Sequence, residues 1–232
     1  MSTAGEVDGR VSPGVAVGRV TPGAAAAIAD ARPRASRTSP ADRAAQLATA
    51  AEGLALEEGL HALTLRAVAA RAGVASSLVA HYAPSMERLV ADTFTSIVGA
   101  ELAEVRAHAI AVRDPNARLQ ALLATLLDGS RDDVTGVWVD AWSIARRSSV
   151  LAEAVREQMT AWHSAIVDAL RAAAPASMHV RELDRVAAHV LAMVDGLNAH
   201  ELVDYGPTGS GLALIARVVE RELSLPEGAL TR

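Results

Sequence analysis

Apolar residues recur along most of the chain at spacings of three and four rather than two, the signature of helices that bury one face. Leu47, Ala50, Ala51, Leu54 and Ala55 trace such a stripe. Ahead of it stands Ser39-Pro40-Ala41-Asp42, in which Ser can cap, Pro suits the first helical position and Asp favours the positive helix end. Gly59 closes that helix. Thr64 caps a second, short helix with Leu65, Val68 and Ala69 inward, and Arg71-Ala72-Gly73-Val74 turns the chain into a third short helix over about 75–82. Pro84-Ser85 opens a fourth, with Val90, Phe94, Ile97 and Val98 on one face, that runs past 105. Asp114-Pro115 repeats the cap-then-Pro start, and the spacing predicts further helices over about 115–129, 133–146, 149–173, 180–203 and 210–223. That makes about nine helices, with no alternating strand pattern, no internal repeat and no heptad array of coiled-coil length.

The 232 residues are 51% hydrophobic but only 3% aromatic, with Ala dominant. Such a composition favours closely packed helices and fits an all-α protein of two unequal domains. No Cys is present, which excludes a disulfide framework, a thiol nucleophile and thiolate metal sites. No apolar run approaches the roughly 18 residues of a membrane span, and the cytoplasm is the expected location. Residues 1–38 are interrupted by Gly and Pro and end in Arg32, Arg34 and Arg37. They read as a disordered, basic-ended arm, either a plain solvated leader or a minor-groove contact.

The net charge of -5 argues at first against nucleic acid, since phosphate binding needs cations. The distribution changes that picture. Residues 32–90 hold seven Arg against five acids, whereas residues 91–232 hold thirteen Arg against nineteen acids. Any DNA-facing surface therefore lies early in the chain. All 22 basic residues are Arg, whose planar donors suit phosphate and guanine.

Two short helices joined by a Gly-containing turn build a helix-turn-helix, in which the first braces and the second enters the major groove. Gly73 permits the left-handed turn, and Ala69, Ala70 and Ala72 let the helices approach closely. Val74, Leu78 and Val79 would hold the second helix down. Ser76, Ser77, Ala80 and His81 would then face outward, with the Tyr82 hydroxyl at the rim near a phosphate.

The run Thr64-Leu65-Arg66-Ala67-Val68-Ala69-Ala70-Arg71-Ala72-Gly73-Val74, then Leu78-Val79-Ala80-His81-Tyr82, then Ser85-Met86-Glu87-Arg88-Leu89 resembles the DNA-binding signature of the TetR family. The His81-Tyr82 pair is similar to its BetI-like branch, and Val137-Trp138-Val139-Asp140-Ala141-Trp142 and Val194-Asp195-Gly196-Leu197 resemble helices of that branch's effector domain. The resemblance implies a helix-turn-helix DNA-binding domain over 39–84 and a ligand-binding and dimerisation domain over 85–232. It implies a homodimeric regulator that binds a double-stranded operator and is released by an unknown small-molecule effector. Arg43, Thr64, Arg66 and Ser85 join the outward residues of the third helix in the expected DNA-binding set. Three positions depart from the family pattern: Ala75 replaces a Ser or Thr cap, Ala83 a Phe, and Met86 a Lys that commonly meets a phosphate. Loss of that Lys implies weaker or more salt-tolerant DNA binding.

Family members hold their ligand among the middle helices and pair through the last two. Trp138 and Trp142 lie four apart on one helical face, with Met159, Trp162 and His163 on the next helix. These five are the expected ligand-binding residues, and the aromatic walls favour a cationic or planar ligand; the same residues could equally form ordinary core. His189, Met193, Gly196 and His200 share one face of a later helix and are expected at the dimer contact. His189 and His200 stand about 16 Å apart along the axis, at 1.5 Å rise per residue, too far to share a metal ion within one chain. No phosphate loop, His-Glu-x-x-His pair or nucleophile elbow is present, so neither catalysis nor a cofactor is expected. A helical adaptor that binds only protein, or a regulator with degenerate DNA binding, is the alternative reading of the same residues.

Overall fold

A computed structural model describes residues 39–206 and 210–231; the basic arm expected over 1–38 lies outside them. Among the described residues there are nine α-helices, one 3-10 turn and no strand. The helices are α1 (Pro40–Glu58), α2 (Leu65–Ala72), α3 (Ser76–Tyr82), α4 (Met86–Ala111), α5 (Pro115–Leu126), α6 (Asp132–Ala145), α7 (Ser149–Ala173), α8 (Val180–Glu201) and α9 (Gly211–Glu222), with the 3-10 turn at Leu60–Ala62.

The caps explain most boundaries. Ser39, Thr64, Ser85, Asp114 and Ser148 each accept a first-turn backbone N–H, from Asp42, Ala67, Arg88, Ala117 and Leu151 respectively, satisfying a donor that the helix itself leaves free. Pro40 and Pro115 occupy first-turn positions where their missing N–H costs nothing. Gly59 ends α1 with φ 89° and Gly73 ends α2 with φ 67°, backbone that a Cβ would strain. The α3 start lacks this device, because Ala75 at its N-cap position makes no side-chain cap bond.

Helices α1 to α3 form a small head, and α4 passes continuously from it into the body. Leu47, Leu54, Val68, Ala69, Val79 and Phe94 are buried where α1, α2, α3 and α4 meet. In the body, α7 packs against α4, α5, α6 and α8 and buries Leu151, Ile166 and Leu170. The α6 helix touches α1 and the 3-10 turn as well as α7 and α8, so one element spans head and body. The described residues belong to a single compact unit. At the far end, α9 buries Glu220, whose carboxylate accepts the backbone N–H of Gly228 at 3.1 Å and of Leu230 at 2.7 Å, fixing the last described residues against the core.

Candidate functional site

The head presents α3 on a brace. Gln46 of α1 donates to the Ala72 carbonyl at 2.9 Å, and Val74 N–H donates to Ala69 at 2.9 Å, so the turn between α2 and α3 has its backbone groups occupied. Arg71 of α2 makes a bidentate pair with Glu57 of α1 and lies over Gly53, where a Cβ would come within 2.7 Å of the guanidinium. Val79 is buried, Val74 and Tyr82 are half-buried against the core, and Leu78 is half-buried. Ser76, Ser77, Ala80 and His81 are exposed. The α3 helix therefore has an apolar back and a small polar front, with His81 edge-on to the Tyr82 ring, centroids 5.4 Å apart.

The other residues expected at DNA lie on α1, on α2 and its cap, and at the cap of α4. Thr64 and Ser85 are exposed and spend their acceptor lone pairs on capping α2 and α4, leaving each hydroxyl hydrogen free to donate. Arg66 is exposed on α2. Arg43 is half-buried, with its guanidinium donating to Gln46 Oε1 at 2.5 Å. Met86, where the family pattern has Lys, is half-buried and packs on the core beside Leu60, Leu63 and Leu65; it contributes apolar contact between head and body instead of a cation.

In the body, a cavity of about 50 Å³ lies between α4, α6, α7 and α8, with Glu101, Trp138, Trp142, Met159, Trp162 and Asp195 on its walls. Four of the five residues expected at a ligand meet there. His163 does not: its Nε2 lies 3.1 Å from the Asp184 carbonyl of α8. Sitting one position on from Trp162, it is rotated about 100° around α7 and meets the flank of α8 rather than the hollow. Trp138 stacks at a tilt on Trp142, centroids 5.7 Å apart, and meets Phe94 of α4 edge-on at 5.0 Å. The Trp162 indole nitrogen is buried without a hydrogen-bond partner.

Two carboxylates on this wall were not among the expected site residues. Burial pushes Asp195 up to about 6, and among the described residues it has no hydrogen bond and no opposite charge. Burial pushes Glu101 up to about 7, with the Arg131 guanidinium and the Trp138 indole N–H pulling the other way. The signal for both was present. Glu101 is in register with Phe94, Ile97, Val98 and Val105 on the buried stripe of α4, and Asp195 follows Leu191 by one turn on the inward face of α8. A charged residue on a buried stripe needs a partner or a ligand.

His189, Met193, Gly196 and His200 lie away from the α8 face that buries Leu183, Val186, Ala187, Val190 and Val194. His189 and His200 are exposed, and Met193 and Gly196 half-buried. His189 Nδ1 is 3.7 Å from Glu222 Oε1 at the end of α9, and His200 stacks edge-on with Tyr205. Among the described residues no cluster of three or more His, Asp or Glu could hold a metal ion, and no helix is long and apolar enough to cross a membrane.

Comparisons with known proteins agree with this geometry. The model of the tetR family of bacterial regulatory proteins matches residues 47–93, and that of the C-terminal domain of BetI-type transcriptional repressors matches residues 115–224. The chain is 28% identical over 153 residues to the HTH-type transcriptional regulator BetI of Rhizobium meliloti, spanning 65% of this chain and 73% of that one. It is 27% identical over 175 residues to BetI of Burkholderia ambifaria, spanning 74% and 88%. Among solved structures, a TetR-family regulator from a Rhodococcus species superposes with a TM-score of 0.66 at 17% identity, over 79% of this chain and 99% of that one. A transcriptional regulator from Rhodococcus sp. Rha1 gives 0.61 at 25% identity, over 78% and 94%. A regulator from Saccharomonospora viridis, solved in complex with choline, gives 0.64 at 17% identity, over 79% and 96%. With one model on the head and its partner on the body, the chain belongs to the TetR family of DNA-binding transcriptional regulators and carries a BetI-type C-terminal domain.

Proposed function

We propose that this protein is a cytoplasmic, homodimeric repressor that reads a quasi-palindromic operator with α3 and leaves it when a small organic cation enters the cavity between α4, α6, α7 and α8. Ser76, Ser77, Ala80 and His81 face base edges in the major groove, and Thr64, Arg66, Tyr82, Ser85 and Arg43 hold the neighbouring phosphates. Two copies pair through the α8 face that carries His189, Met193, Gly196 and His200, together with the outer face of α9, where Leu214 is 48% exposed. Regulation is by binding alone, with no covalent chemistry.

The effector assignment rests on one observation: Asp195 is a half-buried carboxylate, without a counter-charge, in a hollow walled by three tryptophans. Aromatic faces and a desolvated carboxylate together favour a poorly hydrated cation such as a quaternary ammonium. The choline-bound relative from Saccharomonospora viridis supports the same chemistry.

A cavity of about 50 Å³ holds only a few water molecules, at roughly 10–15 Å³ of probe volume each. An organic cation that enters it fully therefore widens it. The α6 helix is the wall positioned to transmit that widening. It sends Trp138 and Trp142 into the cavity and Asp140 to the head, where Asp140 Oδ2 lies 3.2 Å from His61 Nδ1. A ligand that fits only the widened form shifts the population towards a head spacing that no longer matches two half-sites.

The test is fluorescence anisotropy on duplexes flanking the protein's own gene, at several salt concentrations, with and without choline. Sequence-selective binding by a dimer, weakened by salt and released by choline or tetramethylammonium, is the expected result. No selective binding at low salt would refute the operator reading, and binding indifferent to every organic cation would refute the effector reading.

A further inference from the structure

The two carboxylates of the cavity differ in what they offer a ligand. Glu101 is 9% exposed and has a cation beside it: Arg131, at the N-terminal end of α6 and 20% exposed, places Nη1 at 3.7 Å from Glu101 Oε1. The same guanidinium lies 4.0 Å from Glu104, but that side chain is 67% exposed and water screens it. Arg131 Nε is buried without a hydrogen-bond partner, so the guanidinium is held by charge rather than by a full set of hydrogen bonds. Asp195 has no such neighbour.

We infer that Arg131 sets the charge of the effector: by neutralising Glu101 it leaves one uncompensated negative charge in the cavity, on Asp195, and so selects organic monocations over dications. The inference rests on the cationic-effector reading above. In a half-buried site, where water screens poorly, an unbalanced charge is costly, and total charge weighs on occupancy alongside shape. A monocation beside Asp195 brings the group of Glu101, Arg131, Asp195 and ligand to zero. A dication leaves one positive charge over, close to the Arg131 guanidinium.

A matched ligand pair tests this: (3-hydroxypropyl)trimethylammonium and (3-aminopropyl)trimethylammonium differ in one terminal group and in one charge. Titration calorimetry at about pH 8, where both carboxylates are largely ionised, should show the wild type preferring the hydroxyl compound by about tenfold or more. Arg131→Met should move the ratio towards one only to the extent that Glu101 stays ionised without its cation, because burial then favours its protonated form, and Arg131→Lys should keep the wild-type ratio. Glu101→Gln leaves Arg131 unopposed and should bind both compounds about tenfold or more weakly. The double variant Glu101→Gln/Arg131→Met should bind the monocation well again. Because Gln cannot take up a proton, Glu101→Gln against the double variant decides: equal monocation affinity in the two overturns the inference while leaving the cationic reading intact; failure of the wild type to bind either compound overturns that reading instead.

Discussion

Replacing Asp195 with Asn should make the free protein more stable and deaf to organic cations. Burial lifts the Asp195 carboxyl from its ordinary 3.8 to about 6, which costs the ionised native state about 3 kcal/mol at neutral pH. An acid whose folded value is raised holds its proton more tightly in the native state. Stability therefore falls as pH rises past 3.8, and the full cost is reached above about 6. Asn carries no charge but buries an amide with unmet hydrogen bonds, so the net gain is about 2 kcal/mol, worth roughly 4–8 °C in Tm for a domain of this size. Thermal denaturation followed by circular dichroism, scanned from about pH 4 to about pH 8, checks the magnitude and its pH dependence. The gain should be largest at neutral pH and fade towards acid. A variant that is less stable than the wild type at neutral pH, or one whose gain is the same at every pH, would refute the argument that this carboxylate is kept charged at the expense of the fold. Anisotropy on the same variant should show DNA binding that choline no longer releases.

Three further substitutions probe the head and the tail of the fold. Gly73→Ala meets no steric obstacle, since nothing lies within 4 Å of its added Cβ, yet φ is +67°; a loss of about 1–2 kcal/mol by urea denaturation is expected from backbone strain alone, and a neutral result would contradict it. Ala75→Ser supplies the side-chain cap that α3 lacks and should stabilise the head by about 0.5–1 kcal/mol, detectable as slower amide exchange across residues 76–82; unchanged exchange would count against a frayed α3 start. Glu220→Ala strips the acceptor from one buried and one half-buried backbone N–H and should cost about 1–3 kcal/mol, with protease cutting after Leu225 as its visible sign; full protease resistance would show that the tail is held by Leu230 alone.

The helices were legible because their ends are written in chemically specific residues. Ser39, Thr64, Ser85 and Asp114 all stand where the helices begin, and the pattern at each combines a capping oxygen with the onset of an apolar stripe. The outward face of α3 followed from the same logic, since fixing Val79 inward leaves Ser76, Ser77 and His81 on the other side. The cavity was legible only in part. Its tryptophans announce themselves by size and spacing, but Glu101 and Asp195 look like solvated charges until their phase on α4 and α8 is compared with that of their apolar neighbours. His163 fails for the converse reason: spacing places it on the right helix, while a rotation of about 100° per residue decides which neighbour it meets, and that depends on how α7 sits against α8. Arg131 carries no signal at all, because its partner Glu101 lies thirty positions earlier and their approach exists only once α4 and α6 have packed.

The unbroken course of α4 has one more consequence. Its 26 residues begin under the helix-turn-helix head and reach Glu101 on the cavity wall without a joint, so the angular setting of the two ends is fixed by helical phase. Point substitutions can retune either end independently. A single inserted or deleted residue between Val98 and Glu101 would instead twist one end by about 100° against the other, whereas seven added residues would nearly restore the original setting at the cost of about 10 Å of extra length. Natural variation within this helix should therefore run through exchanged side chains and hardly ever through altered length.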